Sequence, residues 1–244
     1  MSGQERWPWA ACLGGVLAVH AVAAEPADVR VERGIPYAAD REGVGRTLDL
    51  HAPAGPAPKP RPVILFVHGG GWRHGDKEMV GAKPAAFAER GWAFASANYR
   101  LDETVSPREQ AQDVADAIGW LHEHGPEHGC DPGRIVLLGH SAGAHLVALV
   151  STDGRFLEAR GLDLSAIAGT ILLDGAGYDV PRQIEIARLP RMREMYRQVF
   201  TEDPQAQREA SPITHVAAGN GIPPFLLFHV GARQDSREQS EALA

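Results

Sequence analysis

The stretch whose reading decides the fold is Arg134–Leu149, RIVLLGHSAGAHLVAL. Arg134 to Gly139 is a nearly continuous aliphatic run, the pattern of a strand buried on both faces of a sheet. Ala142 to Leu149 is rich in good helix formers and reads as a helix packed into a core. Between them lies Gly139-His140-Ser141-Ala142-Gly143. A strand that turns sharply into a helix leaves no room for Cβ atoms beside the turn residue, which explains the flanking glycines. Such a turn holds its central serine in a strained conformation with Oγ exposed, and the helix N-terminus favours negative charge nearby. Ser141 is therefore expected to be a nucleophile.

A second glycine cluster, His68-Gly69-Gly70-Gly71-Trp72, follows the apolar run Val63–Val67. Consecutive glycines let backbone N–H groups converge on one point without side chains in the way. A serine that attacks a carbonyl needs such donors for the oxyanion that forms. Removing one of them costs about 3 kcal/mol of transition-state stabilisation. The expected oxyanion hole is formed by the N–H groups of Gly70, Gly71 and Ala142. His68, Trp72 and His140 flank the two motifs and are expected to shape the substrate pocket.

Outward from these motifs the chain alternates strand and helix. Asp28–Ala38 and Gly45–Pro53 alternate apolar and polar residues, as strands near a sheet edge do. Ala54–Pro62 is proline-rich and reads as a surface loop. A helix is expected near Lys83–Arg90 and a strand near Trp92–Leu101. Pro107–His124 carries Val114, Ala117, Ile118 and Leu121 at helical spacing. A buried strand follows near Ala166–Ala176, and Tyr178–Phe200 reads as a helical lid rich in arginine. A last strand is expected near Pro223–Ala232, with a helix beginning near Arg237. Alternation of this kind predicts an α/β fold, a mostly parallel central sheet with helices on both faces. Function in such sheets gathers at the carboxyl ends of the strands, where both glycine motifs fall.

The chain has 244 residues, 44% hydrophobic and 23% charged, the balance of a soluble globular domain with a sizeable core. Its net charge of −7 offers no basic patch, so nucleic acid is excluded as a partner. Trp7–Ala24 is apolar and ends in small residues, as a secretory signal does, with cleavage expected at Ala21-Val22-Ala23 or one residue later. An uncleaved anchor is the other reading of that stretch, and Trp9 argues against lipidation of Cys12. The expected organisation is a signal peptide over residues 1–24 and one domain over residues 25–244. The domain is expected to be exported, without stable insertion in a membrane once the signal is removed. Cys130 is then the one remaining thiol, which leaves no intrachain disulfide. His122, His124, His128 and Cys130 cluster near a helix end, where a solvated terminus accounts for them better than a metal site.

With these residues in hand, the chain resembles serine esterases of the α/β-hydrolase fold, in the HGGG carboxylesterase group. It is similar to hormone-sensitive-lipase-like and feruloyl-esterase-like enzymes. Asn98-Tyr99-Arg100-Leu101, Asp131-Pro132 with Arg134-Ile135, and Ser211-Pro212 belong to the same likeness. GHSAGAHL and the spacing from His68 to Trp72 also resemble arylformamidases. The resemblance covers roughly Asp28 to the last residue. It implies hydrolysis of small-molecule carboxylic esters through an acyl-enzyme, with no metal and no organic cofactor.

The family places its triad acid after the strand that follows the lid, which makes Asp235 the expected acid, with Asp174 and Asp179 in reserve. The competing reading of Asp235 is a helix N-cap. The family's histidine follows its acid in the chain, and no histidine follows His229 here. The expectation is a chain truncated at its C-terminus, poorly active, its last strand and helix missing. Cleavage of an N-formyl aromatic amide, or a binding protein that has lost its base, are the alternatives.

Overall fold

A computed structural model describes residues 28–38 and 45–244. Seven strands form one sheet: β1 (Val29–Pro36), β2 (Thr47–Pro53), β3 (Arg61–Val67), β4 (Ala93–Ala97), β5 (Cys130–His140), β6 (Gly169–Leu173) and β7 (Phe225–Phe228). Their order is β1-β2-β4-β3-β5-β6-β7. β2 is antiparallel to both its neighbours, and the five strands from β4 to β7 are parallel. β3 starts at Arg61, so the end of the proline-rich loop already belongs to a strand. Pro62 is tolerated there because strand starts do not need every N–H.

The helices are α1 (Lys83–Ala88), α2 (Pro107–His124), α3 (Ala142–Thr152), α4 (Arg155–Glu158), α5 (Val180–Ile186), α6 (Pro190–Phe200), α7 (Pro204–Glu209) and α8 (Gln234–Leu243). α2 starts where the sequence puts it. The Ser106 hydroxyl accepts from the Glu109 N–H and the Glu109 carboxylate accepts from the Ser106 N–H, a reciprocal cap preceding Pro107. The lid is two helices, α5 and α6, separated by an extended break at Ala187 to Leu189.

Side chains alternate across the sheet. Val63, Leu65 and Val67 join the larger core beneath α2 and α3, while Ile64 and Phe66 face the other way with Phe94 and Leu138. Phe87 of α1 and Trp92 pack on this second cluster. α3 is buried along its whole length, so it runs through the core as a rigid element.

The chain moves from β3 to β4 on one side and then returns to β5 on the other. The carboxyl ends of β3 and β5 therefore lie side by side, with Val67 opposite Gly139. That reversal of strand order opens a crevice, and it brings together the two loops that carry glycine motifs.

Candidate active site

Ser141 caps α3 with φ 53° and ψ −117°, a conformation that L residues rarely adopt. The turn that holds it is steric. A Cβ at position 139 would lie 2.4 Å from the Gly143 carbonyl oxygen, and one at position 143 would lie 2.2 Å from that of Val67. The Ser141 N–H donates to the Leu173 carbonyl at 2.9 Å, fastening the turn to the end of β6. Ala142 is the first helical residue, so its N–H has no acceptor within the helix.

The loop after β3 packs directly on this turn. A Cβ on Gly69 would meet the His140 carbonyl oxygen at 2.9 Å and the Ser141 Cβ at 3.0 Å. Gly70, Gly71 and Trp72 all have positive φ, at 132°, 60° and 60°. The Gly70 carbonyl accepts from Arg73 and His74 at 3.2 and 3.0 Å, which closes the loop. Among the described residues, no protein acceptor takes the N–H of Gly70 or Gly71. Further out the loop is pinned at Lys77, whose N–H donates to Asn98 and whose ammonium pairs with Asp49.

The acid-bearing loop follows β7. Asp235 lies in the first turn of α8, and the residue that caps this helix is Arg233. Asp235 is thus not the cap, and its carboxylate is engaged elsewhere. Arg233 bridges two carboxylates, reaching Asp174 Oδ2 at 2.7 Å and Asp235 Oδ2 at 3.0 Å. Asp174 also accepts from the Val230 N–H, and its own N–H donates to the Phe228 carbonyl. Asp179, the other reserve acid, caps α5 by accepting from the Arg182 N–H.

A cavity of about 790 Å³ joins these loops. Gly71, Trp72 and Ser141 line one end, Arg233 and Asp235 another, and Ile186, Leu189, Met192, Met195 and Tyr196 of the lid form an apolar wall. Gly71, Trp72, Ser141 and Asp235 therefore share one space. Gly70 and Ala142 adjoin it through the backbone. His68 and His140 are not among the lining residues. The His68 ring is buried beneath the loop, stacked on Tyr99 at 4.5 Å, with Nδ1 donating to the Gly69 carbonyl at 2.8 Å. His140 sits at the end of β5, exposed.

Among the described residues, no histidine lines the cavity. His145 is fully buried and has both ring nitrogens committed: Nδ1 accepts from the Trp72 indole at 3.1 Å and Nε2 donates to the Ala210 carbonyl at 2.7 Å. His215 faces the Glu209 carbonyl and Asp153 at the far end of α3. In the cluster near the end of α2, His128 pairs with Glu32 and lies tilted against Trp120 at 5.3 Å, and Cys130 is buried. Most lid arginines serve the surface: Arg182 pairs with Glu185 and Glu238, and Arg193 donates to the Ala187 carbonyl. Arg188 alone of them lines the cavity, with Gln234 as its partner.

Sequence reasoning missed Arg233, and it missed the contact between His145 and Trp72. Both are long-range pairings with no signature in local spacing. The Asp placed directly after β6 was visible, but its role as anchor of the acid loop was not.

Comparison with known proteins agrees with this architecture. A family model described as BD-FAE matches residues 48–168, which carry both glycine motifs. "Probable carboxylic ester hydrolase LipM" of Mycobacterium tuberculosis is 33% identical over 185 residues, 72% of this chain and 41% of that protein. The chain spans about two fifths of the length of curated relatives it matches, 41% of the first and 40% of a methylesterase relative from Arabidopsis thaliana. Inhibited esterase B from Lactobacillus rhamnosis superposes with a TM-score of 0.75 at 27% identity, covering 88% of this chain and 71% of that one. Esterase 2 of Thermogutta terrifontis phosphonylated by sarin superposes with a TM-score of 0.67 at 29% identity, covering 89% and 79%. With backbone likeness over 88% of its length, and sequence likeness over a stretch that includes the serine turn, the chain has the α/β-hydrolase fold and is similar to esterases built on it.

Proposed function

We propose that the protein hydrolyses carboxylic esters of small molecules through an acyl-enzyme on Ser141. The observation that carries this reading is the backbone of Ser141, held at φ 53° and ψ −117° where the core helix begins and open to a mostly apolar cavity. A turn built only to connect a strand to a helix has no use for that strain, which costs of order 1–3 kcal/mol. Ser141 Oγ attacks the acyl carbon, and the N–H groups of Gly70, Gly71 and Ala142 donate to the oxyanion. Water then releases the acyl group. Asp235 is the carboxylate that orients an imidazole base and stabilises its protonated form. The methionine-rich lid wall takes the acyl chain, since unbranched thioethers adapt to apolar shapes. The esterase names of the relatives support the same chemistry.

The described residues bring no imidazole into the cavity, and loss of a triad member lowers turnover by on the order of 10³-fold or more. Residues 1–244 are therefore expected to cleave p-nitrophenyl butyrate slowly, and faster when free imidazole is added to enter the cavity as base. Ser141→Ala is expected to abolish both rates. An imidazole-stimulated rate that survives Ser141→Ala would falsify the assignment. Export belongs to the same proposal, although Trp7–Ala24 lies outside the described residues. N-terminal sequencing of the protein recovered outside the cytoplasm should begin at Ala24 or Glu25, and an intact Met1 would refute it.

A further inference from the structure

The two halves of the oxyanion hole come from different parts of the chain. Gly70 and Gly71 belong to the loop after β3, and Ala142 begins α3. A donor pair of this kind works only if both halves keep their register, because a misplacement near 1 Å can cost on the order of 100-fold in rate. The first half is under strain. Gly71 and Trp72 both sit at φ 60°, and for a residue as bulky as tryptophan that conformation persists only when its surroundings enforce it.

The surroundings of Trp72 are specific. Its carbonyl accepts from Gln110 at 2.8 Å. Its ring meets Phe200 and Tyr196 of α6 edge to face, at 4.8 and 6.1 Å. Its indole N–H donates to His145 Nδ1 at 3.1 Å, and His145 lies one turn beyond Ser141 on the rigid α3. The other nitrogen of the same ring, Nε2, donates to the Ala210 carbonyl at 2.7 Å, in the segment that follows the lid. That pattern requires the neutral imidazole, one nitrogen accepting and the other donating. Burial supports it by pushing the His145 pKa down to about 4.

We infer that His145 is a positioning residue for the oxyanion hole: its Nδ1 bond to Trp72 locks the glycine loop to the helix that bears the nucleophile, and its Nε2 bond ties to that helix the end of α7, the segment into which the lid runs. The inference rests on the esterase reading of Ser141 and adds to it a division of labour between two atoms of one ring. Without the Nδ1 acceptor, Trp72 can relax from its strained backbone and turn the Gly71 N–H away from the oxyanion. Without the Nε2 donor, the lid wall loosens while the hole keeps its shape.

Two variants separate the atoms. In His145→Asn the shorter side chain places an amide oxygen near the Nδ1 position, which keeps the acceptor for Trp72 and drops the bond to Ala210. In His145→Gln the amide nitrogen reaches the Nε2 position, which keeps the donor to Ala210 and leaves the indole unpaired. With p-nitrophenyl butyrate and saturating imidazole, His145→Gln is expected to lose about tenfold or more in kcat with KM little changed, short of the 10²–10³ for deleting a donor. His145→Asn is expected to raise KM several-fold and keep kcat. Trp72→Phe, which removes only the indole donor and part of the ring, should reproduce the kcat loss of His145→Gln, and the double variant should lose no more than either alone. The Trp72 indole proton, followed by NMR without substrate, should keep its hydrogen-bonded shift in His145→Asn and lose it in His145→Gln.

Equal falls in kcat for the two His145 variants, or fully additive losses in the double variant, overturn the positioning role while the esterase reading stands. Turnover unaffected by Ser141→Ala overturns the esterase reading instead. The NMR arm needs no turnover and still decides whether His145 holds Trp72: an indole shift unchanged in His145→Gln refutes that.

Discussion

At position 143 the backbone passes so close to the end of β3 that a Cβ would sit 2.2 Å from the Val67 carbonyl oxygen. The atom it would meet is main chain, which cannot swing aside. Gly143→Ala is therefore expected to cost at least about 3 kcal/mol, the upper end of overpacking penalties, and to lower Tm by on the order of 10 °C. Gly161 supplies the contrast. It has φ 67° but open space around its Cβ position, so Gly161→Ala should cost only the left-handed strain of about 1–2 kcal/mol. Equal melting temperatures for the two variants would contradict the steric account. His145 sets a second effect at the same scale. Burial lowers its pKa to about 4, whereas the unfolded chain titrates this group near ~6.5. Between those values the unfolded state binds a proton that the folded state refuses. Stability from this group is complete above pH ~6.5 and is lost as pH falls toward 4, by roughly 3 kcal/mol in all. His51 and His68, also pushed down by burial, act in the same direction. Urea midpoints at pH 7 and pH 4.5 should therefore differ by less in His145→Asn than in the parent protein.

The loop between β7 and α8 is an element whose geometry depends on one guanidinium. Arg233 holds Asp174 and Asp235 together at 2.7 and 3.0 Å, and Asp174 in turn grips the Val230 N–H. These groups are partly exposed, so the pairs add only about 1 kcal/mol to stability. Their larger effect is on where Asp235 sits. Arg233→Met is expected to lower Tm by only a few degrees and to reduce imidazole-stimulated turnover by about tenfold or more; unchanged turnover would show that Asp235 finds its place without the bridge. The strands and helices around this loop were legible in the sequence because their apolar periods are strong. α2 starts at Pro107 as its Ser-Pro-x-Glu signature demands, and Ser141 sits between strand and helix as its glycines require. Asp235 could be placed after β7 by resemblance. Its relation to the helix could not, since α8 begins at Gln234 rather than near Arg237 and an arginine occupies the cap position. Arg233 and His145 escaped for the same reason: each acts on a residue far away in the chain, and such partners follow from packing rather than from period.

Across the whole sheet, the parallel register lines up Phe66, Leu138, Ile171 and Leu226 in one row on the face that carries the smaller core. Exposure rises along it, from 1% at Phe66 and 4% at Leu138 to 50% at Leu226 on the edge strand. Phe228 and Val230 extend the exposed end at 52% and 50%. Strand–helix alternation announced a covered sheet, and it is covered around β3, β4 and β5. Composition alone does not reveal that cover thins toward β7, because Leu226 and Phe228 have the residue types of a core strand. Among the described residues no helix is long and apolar enough to cross a membrane, so the stripe is not part of a helical span.

That stripe governs how residues 1–244 behave in a test tube. Half-bare leucine, phenylalanine and valine on and just after the last strand of the described sheet, with no charge or proline among Phe225–Phe228, form an adhesive seam. The folded protein should brighten a hydrophobic dye at neutral pH and sediment as larger species when concentrated. Leu226→Thr with Phe228→Thr keeps β-formers in place and should quiet both signals. A dye that stays dark on the folded parent would show the seam to be closed in solution. The same gradient would also bias crystal growth and column recovery, so yield and storage life are expected to track two side chains at the rim of the sheet rather than the chemistry at its centre.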